Sequence, residues 1–275
     1  MRTDRVLVPQ SMLFTASMMF LRACALSRGY GGQEKGPLIV TEKHTAAQVG
    51  DEPLLLSRHG MVWIAAGRDD GAKAARAQGA QIIIMDDGHQ NPLVKKTLSL
   101  LVVDAQTGFG NGRVVPAGPL REPAKAALSR ADAVILMKPY ADYKVDEDLR
   151  AELKPLPVIE AHLAPLAPPP SGKLFAFAGI GRPNKFFDAL RRAGGELVEG
   201  IGYRDHYKYG IEDMQSLMEL SGEYKAQLIT TEKDLVRIPP SYRQHVAAWP
   251  VMAAFDDELT LRRLLHPVID AAKTR

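Results

Sequence analysis

Gln81-Ile82-Ile83-Ile84-Met85-Asp86-Asp87-Gly88-His89-Gln90 is the stretch on which the reading of this chain turns. Three consecutive β-branched residues favour extended backbone, and a short unbroken apolar run suits a strand buried on both faces of a parallel sheet. The run stops on two adjacent carboxylates. Open α/β sheets bind ligands outside the carboxyl ends of their strands, and an aspartate placed there often holds magnesium. Asp-Asp-Gly is also ordinary turn chemistry, so at this point Asp86 and Asp87 are either a metal site or a turn.

Upstream of it, Met61 to Ala65 (MVWIA) reads as a buried strand, and Glu52 to Ser57 and Ala72 to Gln78 as helices. Downstream, Leu98 to Val103 is a strand running into Asp104, Ala124 to Ser129 a helix and Ala133 to Met137 a strand. Such alternation predicts an α/β fold with a doubly wound, mostly parallel sheet. Ala164 to Pro170 (APLAPPP) holds four prolines and reads as a semi-rigid linker. A second α/β set follows, with strands at Leu174 to Ala178, Glu196 to Val198 and Gln227 to Thr230 and helices at Lys185 to Ala193 and Ile211 to Leu220. Glu258 to Ala272 reads as an amphipathic helix interrupted at Pro267, with Leu259, Leu261, Leu264, Leu265, Val268 and Ala272 toward a core. The expected organisation is a core over 1–165 and a smaller α/β domain with the terminal helix over 166–275. A cleft between two such domains is a common place for a ligand.

The composition is ordinary for a globular protein, with 46% hydrophobic and 24% charged residues. A net charge of +3 and 7% aromatic residues argue against a nucleic-acid surface, although a mild positive charge suits an anionic lipid or nucleotide. The single cysteine, Cys24, forms no internal disulfide, which fits a reducing compartment. Met12 to Leu26 is largely apolar and follows Arg2 and Arg5, giving it some likeness to a signal peptide. It falls short of the roughly 20 residues of a spanning helix, and a short buried or interfacial helix is the plainer expectation.

Other segments carry candidate chemistry. Asp51, in Gly50-Asp51-Glu52, is either a helix N-cap or a general base. Ser27-Arg28-Gly29-Tyr30-Gly31-Gly32 is a loop that must approach another backbone closely. The Gly- and Pro-rich stretch from Gly108 to Pro123 places Arg113 and Arg121 where guanidinium groups either meet phosphate or pair with acids such as Glu122. His206, beside Asp205, is a candidate proton carrier or a plain loop histidine. Thr230-Thr231-Glu232-Lys233-Asp234 either binds a polar ligand or caps a helix, with Thr231 as N-cap and Asp234 as the acid of a capping box.

Together these segments resemble one family, the bacterial tetraacyldisaccharide 4'-kinases. SRGYGG at 27–32, GDEPLLL at 50–56, IIIMDDGHQN at 82–91, LLVVDAQTGFGNGRVVPAGPLREP at 100–123, FAGIGRPNKFF at 177–187, RDHYKY at 204–209 and TTEKD at 230–234 stand in the family's order. The resemblance covers the chain from about Ser27 onward. It implies a P-loop-type kinase sheet with a smaller domain closing over the cleft. The implied reaction is phosphorylation of the 4'-position of tetraacyldisaccharide 1-phosphate by MgATP, in lipid A biosynthesis. The implied location is the cytoplasmic face of the inner membrane, with peripheral membrane contact. It also implies Asp51 as the base, His206 as its charge partner and Asp86 with Asp87 as the magnesium site. Arg121 would lie near the substrate, with Arg113 a further substrate candidate, and TTEKD and Gly181-Arg182 would lie near the nucleotide or the domain contact.

One feature departs from the family pattern. No G-x-x-x-x-G-K-[ST] occurs within the 275 residues. Such a loop brings backbone N–H groups, a helix N-terminus and a lysine to the phosphates. The sheet is therefore expected to be incomplete toward the N-terminus, the chain to be a truncated or frame-shifted product, and its phosphoryl transfer to be weak or absent. A non-catalytic binder of lipid A precursor or nucleotide is the alternative.

Overall fold

The computed structural model describes residues 22–274. Apart from its last five residues, the apolar stretch from Met12 to Leu26 lies outside the described residues. Those five do not continue a helix: Ala23–Ser27 is strand β1, pairing in parallel with β3 (Met61–Ile64) on one side and β4 (Ile82–Met85) on the other. Cys24, Ala25 and Leu26 are fully buried, as a central strand between two neighbours requires. β2 (Leu38–Ile39) joins β3 antiparallel, giving the order β2-β3-β1-β4. Helices cover both faces. Leu55 and Leu56 of the helix Asp51–Leu56 pack on Ala25, Val62 and Ile64, while Ala75 of the helix Arg68–Ala77 packs against Cys24, Leu26 and Trp63.

A second sheet has the order β12-β7-β6-β5, from β5 (Leu100–Asp104), β6 (Ala133–Lys138), β7 (Val158–Pro165) and β12 (Val251–Phe255). β5, β6 and β7 are parallel and β12 is antiparallel to β7. The third sheet is wholly parallel, with the order β11-β10-β8-β9 from β8 (Lys173–Ala178), β9 (Glu196–Gly202), β10 (Gln227–Thr231) and β11 (Ala247–Trp249). Its central strand shows why a continuous apolar run becomes a two-sided strand. Leu174, Ala176 and Ala178 face Phe186, Phe187 and Leu190, and Phe175 and Phe177 face Met214 and Leu217 on the other side.

The structure corrects the expected division at residue 165. From Val251 the chain leaves the third sheet and returns to the second, where β12 pairs with β7 from Phe255–Ala161 to Val251–Pro165. The helix Glu258–Lys273 then packs Leu261 against Ile135 and Ile159, and Ile269 and Ala272 against Ile82. That helix runs unbroken through Pro267, and Leu259 is exposed rather than core. Ala164 and Pro165 belong to β7, so the connector between domains begins at Leu166. It lies beside the return crossing, where Leu166 N–H donates to Pro250 O at 3.0 Å and Trp249 Nε1 donates to Ala167 O at 2.9 Å.

Where one incomplete sheet was expected, the larger domain holds two. β4 and β5 are facing edges that do not pair with each other among the described residues. Between them is a cleft of about 320 Å³, lined by Ile82 to Met85, Leu98 to Val102 and, from the terminal helix, Leu265 and Val268.

The small domain meets the large one through charge pairs. Asp104, at the end of β5, takes Arg182 and, at 3.0 Å, Lys185. Lys233 reaches Glu52 at 3.2 Å, and Arg237 and His206 reach Asp51.

Candidate active site

Glycines seat the Asp51 helix against the 27–32 loop. Gly50 has φ +89°, and a Cβ there would stand 2.6 Å from Tyr30 O; a Cβ on Gly32 would stand 2.5 Å from Gln48 O. Gly50 is the N-cap, so Asp51 is the first helical residue and its side chain is free for other work. That side chain crosses the domain boundary. Its Oδ2 lies 3.1 Å from His206 Nδ1, accepts Arg237 Nε at 2.8 Å, and also takes Arg237 Nη2. Burial alone would raise the Asp51 carboxyl, but the hydrogen bond with His206 and the Arg237 charge outweigh it and hold the group well below the usual carboxylate range. The same hydrogen bond raises His206 above its ordinary value of 6.5, against the opposing effects of burial and of Arg237.

His206 has φ +57°, a conformation costly for a residue with a Cβ. It is held by its own N–H, which donates to Gly179 O at 3.0 Å, and by Asp205 Oδ1, which accepts the same N–H at 3.0 Å. Arg237 is fixed more firmly. Its Nη1 donates to Gly179 O at 2.8 Å and lies 3.3 Å from Asp234 Oδ1. Asp234 is fully buried and also accepts Tyr209 Oη at 3.0 Å and Gly179 N–H at 2.9 Å. The capping reading of TTEKD therefore holds in part. Thr231 Oγ1 accepts Asp234 N–H at 3.1 Å, but the Asp234 carboxylate turns inward to this network.

A cavity of about 480 Å³ opens between the domains beside this pair. Glu52, Asp86, Asp87, Arg121 and His206 line it, together with Ser27, Arg28 and Arg68. Asp51 is recessed behind this wall, bonded to His206, and is 6% exposed. Since both its partners come from the small domain, separation of the domains uncovers it. Arg113 is exposed and stands apart from the cavity wall. Arg121 donates to Asp87 Oδ2 at 2.7 Å, while Glu122 is taken by Arg130 and Gln90. His89 is structural, its ring nitrogens lying 2.8 Å from Ser99 Oγ and 3.0 Å from Ala127 O.

Asp86 and Asp87 stand side by side at the cavity, Asp87 paired with Arg121. Asp86 is buried, accepts Ser27 Oγ at 3.2 Å and has its carboxyl pushed up to about 7 by burial, then by Glu52 and Asp87. Adjacent carboxylates in such a setting suit a divalent cation, and magnesium in phosphate-handling sites is commonly held by one or two carboxylates plus substrate oxygens and water. No group of three or more His, Cys, Asp or Glu side chains able to hold a metal is found among the described residues.

The sign of the Asp86 shift leads to a prediction. A carboxyl whose folded pKa is raised from 3.8 to about 7 favours the folded state below pH 3.8, and that contribution is lost as pH rises through 7. Asp86→Asn is therefore expected to stabilise the protein at pH 8, by about 1–3 kcal/mol, and to change little at pH 4. Thermal melts at the two pH values measure this. Destabilisation at pH 8 would show that the buried charge is already compensated.

Arg237 is the residue that the sequence reading missed. It lies two residues past the helix Glu232–Leu235, in a turn closed by Arg237 N–H donating to Asp234 O at 2.9 Å, and that turn aims it at Asp51.

Comparisons with known proteins identify the family. A sequence profile described as tetraacyldisaccharide-1-P 4'-kinase (LpxK) matches residues 13–270. The tetraacyldisaccharide 4'-kinase of Maricaulis maris is 51% identical over 98% of this chain and 80% of its own length. That of Caulobacter vibrioides is 49% identical over 95% and 80%. Among solved structures, the apo form of LpxK from Aquifex aeolicus in complex with ATP superposes with a TM-score of 0.72 at 25% identity, covering 97% of this chain and 84% of that one. A profile match over most of the chain, relatives at half identity and a shared fold together establish that the chain belongs to the tetraacyldisaccharide 4'-kinase family.

Proposed function

We propose that this protein transfers the γ-phosphate of ATP to the 4'-hydroxyl of tetraacyldisaccharide 1-phosphate, with Asp51 accepting the hydroxyl proton. The observation that carries this reading is the Asp51–His206 contact across the domain boundary, set beside a cavity that holds Asp86 and Asp87. In the reaction the sugar oxygen attacks the γ-phosphorus, the bond to the β-phosphate oxygen breaks, and the proton passes to Asp51. Phosphoryl transfer runs through a loose transition state in most analyses, so the protein contributes mainly position and charge. A carboxylate held as low as Asp51 is a feeble base at rest. In a loose transition state the attacking hydroxyl stays largely protonated, and orientation outweighs base strength. His206 stabilises the charge on Asp51 and fixes its rotamer.

Asp86 and Asp87 would hold magnesium, which supplies charge neutralisation to the phosphates. Arg121, now paired with Asp87, is placed to turn to an incoming phosphate of nucleotide or lipid. Arg113 is left without a role, because it lies away from the cavity. The acylated substrate calls for work at a membrane surface, and the proposed location is peripheral, at the cytoplasmic face of the inner membrane. No helix among the described residues is long and apolar enough to cross a membrane.

The second reading is a non-catalytic binder of lipid A precursor or nucleotide. One observation favours it: the lack of G-x-x-x-x-G-K-[ST] within these residues. Transfer of labelled γ-phosphate from ATP to tetraacyldisaccharide 1-phosphate in detergent separates the two. Binding of the lipid with no transfer, even after a P-loop segment is supplied, would favour the binder.

A further inference from the structure

We infer that Arg237 is a positioning residue for Asp51, seating one carboxylate oxygen in the closed arrangement of the domains and leaving the other for the acceptor. The inference rests on the reading of Asp51 as base. Arg237 Nε and Nη2 and His206 Nδ1 all converge on Oδ2, and none of them engages Oδ1. A planar guanidinium that binds through two nitrogens fixes both the distance and the plane of its partner, which an ammonium does not. The arginine is itself immobilised. Its side chain is 5% exposed, anchored to Gly179 O at 2.8 Å and braced by the buried Asp234. Asp234 is in turn held by Tyr209 and Thr231. The chain of contacts thus runs from the core of the small domain, through Arg237, to a carboxylate on the large one. Closure of the domains brings Arg237 and His206 to Asp51 together, so the carboxylate is oriented only when the cleft is closed.

A cation used merely to hold the domains together would be served by any nearby acid. Here Glu52, adjacent in sequence, is taken by Lys233 instead, and Arg237 is committed to Asp51 and Asp234. The other groups facing the pair are Asp205, 4.0 Å from His206 Nε2, and the Tyr30 ring, 6.1 Å from the imidazole.

The test reads the His206 midpoint first and turnover second. The full chain, labelled in histidine, is titrated by NMR, with the His206 signal assigned from His206→Gln. Arg237 opposes protonation of His206, so Arg237→Met is expected to raise the His206 midpoint by about 0.5 unit or more. Arg237→Lys, which keeps the charge, is expected to bring the midpoint back within about 0.3 unit of the wild type. Arg237 Nη2 lies 3.4 Å from His206 Nδ1, so a purely structural arginine would move the midpoint as well. The positioning role is read from Arg237→Lys in a P-loop-bearing version, which keeps the charge but not the two-nitrogen grip and is expected to lower kcat about 10-fold with KM for ATP unchanged. A wild-type kcat there, or an unmoved midpoint in Arg237→Met, overturns the inference. Should circular dichroism show Arg237→Met unfolded, Arg237→Gln is titrated instead, and an unmoved midpoint there overturns it equally. Failure of the base assignment shows itself separately. If Asp51→Asn left transfer intact in a P-loop-bearing version while the His206 shift appeared, Arg237 would still position Asp51, but Asp51 would not be the base.

Discussion

A polypeptide with this 275-residue sequence is expected to transfer phosphate to tetraacyldisaccharide 1-phosphate at least about 10³-fold more slowly than a chimera in which residues 1–26 are replaced by a P-loop-bearing segment of a relative. The magnitude follows from what the loop contributes. Losing one preorganised hydrogen-bond donor at a developing charge typically costs about 2.7–4 kcal/mol, and a P-loop supplies several donors together with a lysine. Asp86 and Asp87 do not replace it, because carboxylates are hydrogen-bond acceptors and offer no donor to the phosphate oxygens. Among the described residues, Arg28, Arg68 and Arg121 are cavity-lining cations, and two of them are already engaged. Arg68 donates to Ala65 O and Asp86 O, and Arg121 pairs with Asp87. A strand introduced ahead of the loop would meet the apolar edges of β4 and β5, which face each other across the cleft lined by Ile82 to Met85 and Leu98 to Val102. Labelled ATP and the lipid substrate in detergent, with the two proteins side by side, give the measurement. Equal turnover would show that another group cradles the phosphates.

In the P-loop-bearing version, Asp51→Asn is expected to lower kcat by about 10²–10⁴-fold with little change in KM for ATP. The amide keeps the shape of the carboxylate but neither accepts the proton nor pairs with Arg237 and His206. The same contacts predict how domain closure depends on pH. His206 has a raised pKa, so its contribution is complete below 6.5 and is lost as pH rises through its folded value. Asp51 has a depressed pKa, so its contribution is present above 3.8 and is lost as pH falls toward its folded value. Closure through this pair is therefore expected to be strongest between about pH 4 and 6.5 and to weaken above it. Small-angle scattering across that range follows the domain separation. A wild-type kcat retained by Asp51→Asn would remove the residue from the chemistry, and a separation independent of pH would remove the pair from closure.

Much of the fold was legible because it rests on local patterns. β-Branched runs such as Ile82–Ile84 and apolar runs such as Leu174–Ala178 gave strands, and the helices between them gave a two-sided α/β arrangement. β7 and β12 escaped notice. The first ends in the proline-rich stretch that reads as linker, and the second is a short run whose partner lies about ninety positions earlier in the chain. No local pattern records such a pairing. For the same reason the sequence placed the terminal helix with the small domain, whereas hydrophobic contact with Ile82, Ile135 and Ile159 draws it to the large one.

The fold class, the family motifs, and the presence of Asp51, Asp86, Asp87, Arg121 and His206 in stretches able to carry chemistry are all written in the chain. Tertiary structure alone decided which of these meet. Asp51 and His206 are 155 positions apart and touch because the two domains meet on one boundary. Arg113 and Arg121 look alike in sequence, yet one turns to solvent and the other to Asp87. Arg237 carried no signal at all, because its part depends on the direction in which the turn after the helix Glu232–Leu235 points a guanidinium. A residue's type is written in the chain and sets what it is able to do. Its charge state and its partner are set by burial and by neighbours that only packing supplies.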